Sequence, residues 1–192
     1  MKSTIILCSG GARSGKSEFA EQLALSLKGR KAYVATGQAF DDEMKDRIKK
    51  HQMRRGKEWI TFEIPLHLHK NWEQIKNVSD VILIDCLTMF TSNHIFAYGD
   101  INTQEDSNRI ESIILEELRL LLQEINNSND KTVIFVTNEI GLGIVPENKL
   151  ARYFRDITGR VNREVASAAN KMYLTISGVT IELKSQEVHI NG

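Results

Sequence analysis

Short apolar runs alternate along the chain with stretches in which apolar residues recur every three or four positions. A brief continuous run rich in β-branched residues marks a buried strand, and a 3.6-residue period marks a helix with one apolar side. Thr4 to Leu7, Lys31 to Thr36, Val81 to Ile84 and Thr132 to Thr137 are therefore predicted strands. Trp59 to Ile64 alternates like a strand and is closed by Pro65, and Met172 to Ile176 pairs with Val179 to Leu183 as a hairpin about Ser177-Gly178. Helices are predicted from Glu18 to Leu27 (Phe19, Leu23 and Leu27 inward), across Leu66 to Ile75, and from Leu87 to Tyr98. Asp41-Asp42-Glu43 opens a charged helix to about Arg55, in which Met44, Ile48 and His51 share a face. A long helix follows Thr103 or Asp106 as cap, its stripe running Ile110, Ile113, Ile114, Glu117, Leu118, Leu121 and Ile125. Leu150, Phe154, Ile157, Val161 and Val165 mark the last. Strand and helix in alternation predict one α/β domain over residues 1–184, a mainly parallel sheet flanked by helices with a C-terminal β-hairpin, then a polar tail over 185–192.

Composition narrows this picture without redrawing it. The 192 residues suit one domain with a substantial core, and 25 basic against 25 acidic residues leave no net charge. Neutrality removes the electrostatic argument for nucleic acid or an anionic membrane as main partner. No segment is apolar and long enough to cross a bilayer, and the run after Met1 is too short for a signal peptide. The two cysteines, Cys8 and Cys86, each end a predicted strand and belong to no metal-ligand spacing. Reduced, packed thiols are expected, which fits a cytoplasmic protein.

The chemistry begins where the first strand ends. Gly10-Gly11-Ala12-Arg13-Ser14-Gly15-Lys16-Ser17 has the spacing of a phosphate-binding loop. Glycines let successive backbone N–H groups turn inward on phosphate oxygens, and the start of the next helix adds a positive field. Lys16 can reach the β- and γ-phosphates, and the Ser17 hydroxyl can ligate Mg2+. Strand, loop and helix follow in the required order, which predicts a P-loop NTPase-like fold and a bound nucleotide.

Other candidates gain weight from this loop. Asp85 ends a buried strand, where phosphate-loop enzymes hold Mg2+ directly or through water. Ala35, Thr36 and Gly37 end the second strand, on the edge where ligands of a parallel sheet sit. His51 has two open readings, a partly buried position on an amphipathic helix, or a nucleophile or phosphate contact helped by Arg54 and Arg55. His67 and His69, two apart, read as surface residues; Asn93 and His94 fall mid-helix without an evident role. The stretch Asn138 to Asn148 holds two glycines and a proline beyond a strand end, and it reads as either a substrate loop or a plain connection. Of Arg152, Arg155, Arg160 and Arg163 most are expected to be solvated or paired, with one or two left to meet phosphates of an adjoining subunit.

Taken together these runs resemble the bifunctional adenosylcobinamide kinase/adenosylcobinamide-phosphate guanylyltransferase family of cobalamin biosynthesis. The resemblance rests on Gly10 to Ser17, on Asp41-Asp42-Glu43-Met44 with Arg47, Ile48 and His51, and on Asp85-Cys86-Leu87-Thr88. Its most specific part is Val136-Thr137-Asn138-Glu139 through Gly141, Gly143 to Asn148, Ala151-Arg152, Phe154-Arg155-Asp156 and Gly159 to Asn162. It implies phosphorylation of adenosylcobinamide by ATP or GTP, then transfer of GMP from GTP to give adenosylcobinamide-GDP. By the resemblance His51 is the guanylylated histidine, and Gly10 to Ser17, Ala35 to Gly37, Gln52, Met53, Arg54, Arg55, Glu63 and Asp85 contact nucleotide. A homotrimer with sites between subunits is implied as well. Residues 97–108 and the tail match no part of the pattern. The motifs alone also admit a phosphate-loop kinase of another small alcohol, or a nucleotide-dependent switch without catalysis.

Overall fold

The computed structural model describes residues 2–38 and 56–188. Its strands are β1 (Thr4–Gly10), β2 (Lys31–Ala35), β3 (Trp59–Glu63), β4 (Val81–Asp85), β5 (Thr132–Asn138), β6 (Lys171–Ile176) and β7 (Val179–Glu182). They form one sheet in the order β3-β2-β4-β5-β1-β6-β7. Every pairing is parallel except that of β6 with β7, the expected hairpin. The helices are α1 (Lys16–Ser26), α2 (Leu68–Val78), α3 (Leu87–Ala97), α4 (Gln104–Asn127) and α5 (Lys149–Ala168). The charged helix expected over 41–55, with His51, lies outside the described residues.

The central strands are buried on both faces, as their continuous apolar runs require. Ile5, Leu7, Ile82, Ile84, Val133 and Phe135 point to one side, where α2, α3, α4 and α5 contribute Trp72, Phe90, Leu118 and Val161 to a shared core. Ile6, Cys8, Leu83, Ile134 and Val136 point to the other, beneath α1. There Phe19, Leu23 and Leu27 pack against the core as expected, but they are not the most deeply buried face of α1. Ala20 and Ala24 are buried with Lys16, while Phe19, Leu23 and Leu27 are half-buried at the flanks. Small side chains at Ala20 and Ala24, four and eight residues after Lys16, let the helix lie close to the sheet with Lys16 on the same inward side.

Two strands run further than their apolar runs. β1 continues to Gly10 and β5 to Asn138, because the ladder still pairs Ser9 with Thr137 and Gly10 with Asn138. Backbone pairing is indifferent to side-chain polarity, so hydrophobicity alone ends such strands early. α4 begins at the expected cap: Thr103 accepts from Asp106 N, and the Asp106 carboxylate accepts in return from Thr103 N. The tail is not wholly free either. Lys184–Gln186 is a 3-10 turn whose start is held by Glu182, which accepts from Lys184 N and Ser185 N.

Candidate active site

The turn from β1 to α1 lies at the C-terminal edge of the sheet, with the backbone curled by two left-handed residues, Arg13 at φ 58° and Gly15 at φ 97°. A side chain at Gly15 would be strained there. At Gly10 the constraint is space: a Cβ would lie 2.5 Å from Ser14 Oγ and from the Thr175 carbonyl oxygen. The hairpin supports the loop from behind, since Gly178 N donates to the Ser14 carbonyl at 2.8 Å. Lys16 is buried, and its Nζ donates to the Gly11 carbonyl at 3.1 Å. Ser14 Oγ is buried with no hydrogen-bond partner. Ser17, one residue into α1, is half-buried. The loop is thus a concave backbone wall with a cation at its mouth and a hydroxyl awaiting a partner, which is how an anion is held.

The rest of the edge is assembled by register. Ala35 is paired with Glu63 on one side and Asp85 on the other, so both carboxylates reach the edge at one level. Asp85 accepts from the Tyr33 hydroxyl at 2.6 Å. Thr36 is fully buried: its hydroxyl donates to the Cys86 carbonyl at 2.7 Å and accepts from Cys86 N at 2.8 Å, and its N donates to the Asp85 carbonyl. It fastens the ends of β2 and β4, while Ala35 and Gly37 beside it are half-buried. Burial pushes the Cys86 thiol up to about 11, with the Asp85 charge adding to it, and pushes Cys8 up to about 12. Neither thiol is a nucleophile at neutral pH. Of the expected nucleotide contacts, Gln52, Met53, Arg54 and Arg55 lie with His51 outside the described residues.

Beyond β5 the chain makes an open loop to Asn148, with Leu142 86% and Ile144 96% exposed. Asn148 caps α5, accepting from Ala151 N at 2.9 Å. Arg152 holds the loop's return, donating to the carbonyls of Pro146 and Glu147 at 3.0 and 2.6 Å. Arg160 pairs with Glu111 at 2.8 Å, and Arg155 lies 3.7 Å from its neighbour Asp156. Arg152 and Arg160 are therefore engaged within the chain.

On the opposite face the structure assembles a group that spacing alone did not reveal. His94, fully buried in α3, meets Glu117 of α4 at 2.8 Å, and His67 and His69 approach the same carboxylate at 3.3 and 3.7 Å. Glu117 also accepts from Leu68 N at 2.9 Å, capping α2. His67 and His69 are thus not plain surface residues; they are half-buried because the start of α2 docks on α4. The other His94 nitrogen, Nδ1, faces the Phe90 carbonyl, which only accepts, so Nδ1 carries a hydrogen and Nε2 is the nitrogen that faces Glu117. No group of three or more histidine, cysteine or acidic side chains among the described residues is arranged to hold a metal. Asn93 next door donates to the carbonyls of Thr36 and Pro65 at 2.6 and 3.0 Å, tying α3 to the site edge. One sequence signal was available: Glu117 falls inside an otherwise apolar stripe, and a buried carboxylate demands partners.

The chain matches known proteins over almost its whole length. The family model for cobinamide kinase / cobinamide phosphate guanyltransferase, CobU, matches residues 6–183. The chain is 42% identical over 182 residues to the bifunctional adenosylcobalamin biosynthesis protein CobU of Escherichia coli, covering 94% of this chain and 99% of that one. It is equally similar to the Salmonella typhimurium protein of the same name. Against the Pseudomonas aeruginosa bifunctional adenosylcobalamin biosynthesis protein CobP it is 34% identical, covering 92% and 95%. Among solved structures, a type III secretion system ATPase aligns with TM-score 0.57 and 11% identity, over 98% of this chain and 59% of the ATPase. That likeness concerns the fold alone.

Proposed function

The chain belongs to the cobinamide kinase / cobinamide phosphate guanyltransferase family, and on that premise we propose that it phosphorylates adenosylcobinamide with ATP or GTP and then transfers GMP from GTP through a histidine intermediate. The observation that carries the kinase half is the β1–α1 turn: a glycine-walled cradle with an unpaired buried hydroxyl and the buried ammonium of Lys16. Backbone amides and Lys16 bind and orient the phosphates of the donor. The acceptor hydroxyl oxygen attacks the γ-phosphorus, the bond to the bridging oxygen breaks, and the nucleoside diphosphate leaves with the electron pair.

Mg2+ fits the donor set, since Ser17 offers a hydroxyl and Asp85 a carboxylate, both hard oxygen ligands. When bound it neutralises charge on the β- and γ-phosphates. The Tyr33 hydroxyl orients Asp85 toward that task.

For the transferase half, the neutral imidazole of His51 attacks the α-phosphorus of GTP and expels pyrophosphate, leaving GMP joined by a P–N bond. The phosphate of the first product then attacks the same phosphorus, the P–N bond breaks, and His51 is regenerated. Arg54 and Arg55 stabilise the charge that develops; Gln52, Met53, Glu63 and Ala35 to Gly37 line the nucleotide. The enzyme works in the cytoplasm as a homotrimer. The exposed Leu142, Ile144 and Val145 on the β5–α5 loop support that assembly, because an apolar loop of this kind favours cover by another copy.

The test is mass spectrometry of the intact and digested protein after incubation with GTP. A GMP adduct on the peptide bearing His51, absent in His51→Ala, is the expected result. Adenosylcobinamide phosphorylation without any adduct would leave a plain kinase.

A further inference from the structure

Asn138 lies at the centre of the site edge; it opens the stretch read as a substrate loop or a plain connection and was not among the expected nucleotide contacts. β5 runs between the strand of the phosphate loop and the strand of Asp85. Asn138 is paired directly with Gly10, and Asp85 with Val136. Side chains alternate along a strand, and Val136 faces the α1 side of the sheet. Asn138, two residues on, therefore projects to that same side, as does Asp85. Strand spacing and rise put its Cα about 5 Å from Gly10 and about 8 Å from Asp85.

Its backbone is held from the other face. Asn138 N donates to Thr88 Oγ1 at 2.9 Å, and its carbonyl accepts from Asn162 Nδ2 at 3.1 Å. Asn162 Oδ1 accepts from Thr137 at 2.6 Å, and Glu139 N donates to the Gly10 carbonyl at 3.0 Å. With the main chain so fixed, Asn138 Oδ1 is nevertheless buried and has no hydrogen-bond partner. Ser14 Oγ, also buried and unpaired, abuts the same Gly10. Two unpaired polar atoms from distant parts of the chain thus converge on one glycine of the phosphate loop.

We infer that the Asn138 carboxamide bridges the γ-phosphate and the hydroxyl that attacks it, with Nδ2 donating to a γ-phosphate oxygen and Oδ1 accepting from the acceptor's O–H. A carboxamide is suited to this, because it presents a donor and an acceptor side by side. It takes no proton: as the new P–O bond forms and the bridging P–O bond breaks, the hydroxyl proton passes to water. Asn138 orders the two reactants in line. The assignment rests on the kinase reading of the site.

The experiment compares wild type, Asn138→Ala and Asn138→Asp. It measures binding of a non-hydrolysable ATP analogue and of ADP, together with kinase kcat and KM and the thermal midpoint. Asn138→Asp keeps the shape and the backbone bonds while replacing the donor with a negative charge, so it reports even if the alanine variant is poorly folded. Expected are a fall in kcat of about 10²-fold in both variants, about tenfold weaker triphosphate binding in Asn138→Asp, and unchanged ADP binding. Equal weakening of triphosphate and diphosphate, or an unaltered kcat in Asn138→Asp, overturns the assignment. A wild type that binds neither nucleotide removes the kinase reading itself.

Discussion

The two faces of the sheet each carry a polar group of side chains near the site, and they differ in how those side chains are partnered. On the α1 face, Ser14 Oγ and Asn138 Oδ1 are buried and unpaired beside Gly10. On the other, one carboxylate, Glu117, gathers His94, His67 and Leu68 N. An unpaired buried polar atom costs about 1–3 kcal/mol, which a bound ligand can offset. Residue type misleads here. Three histidines around a glutamate look like chemistry, yet they join α2, α3 and α4; a serine and an asparagine look inert, yet they leave atoms open beside the phosphate loop. The scaffold side has open atoms of its own, since Asn93 Oδ1, Thr158 Oγ1 and His69 Nδ1, the last at 3.7 Å too far from Glu117 for a hydrogen bond, are also buried and unpaired.

The sharpest break in this contrast would come from Lys16→Ala. Kinase turnover should fall by at least about 10²–10³-fold with little change in the thermal midpoint, and an equal collapse of stability would mean the loop lysine is scaffold after all. Next is Glu117→Ala, which strands His94 and uncaps α2. Urea unfolding should show a loss of about 3–5 kcal/mol, while turnover per folded molecule stays near that of wild type; a stable but inactive variant would move the cluster into the catalytic machinery.

The smallest effect is the acid limb of stability. Burial pulls the Glu117 carboxyl up, but the bond from His94 and the charges of His94, His67 and His69 outweigh it and leave the carboxyl below its usual range. Asp80, which accepts from Arg30 N at 2.9 Å and from the Arg30 side chain, is lowered from 3.8 to about 2. A carboxyl depressed by folding stabilises above its unfolded pKa and loses that contribution as pH falls through the folded value. Stability should therefore drop between about pH 4 and pH 2, less steeply in Glu117→Gln and in Asp80→Asn. A slope identical in all three proteins would show that these pairs do not govern the acid limb.

Much of this was open to reading in the sequence because it is local. Backbone curvature at Gly10 to Gly15, the order strand-loop-helix, Asp85 after an apolar run, and the Thr103–Asp106 cap depend on residues a few positions apart. Periodicity likewise placed every described strand and α-helix within a few residues at its ends, though not the 3-10 turn Lys184–Gln186. Where local rules fell short, as in the inward face of α1 or the extra length of β1 and β5, the deciding neighbour lay on another strand. The face of α1 follows from how near the helix can approach the sheet, which Ala20 and Ala24 allow and Phe19 does not.

By itself, then, the chain determined its elements and its phosphate loop, since both arise from bonding between near neighbours. Only the tertiary structure decided that β5 lies between the loop strand and the Asp85 strand, that Asn138 faces Gly10, and that Glu117 caps α2 and meets His94 of α3. Whether a polar atom finds a partner depends on segments far apart in the chain being brought to within about 3 Å, and no pattern within one segment records that.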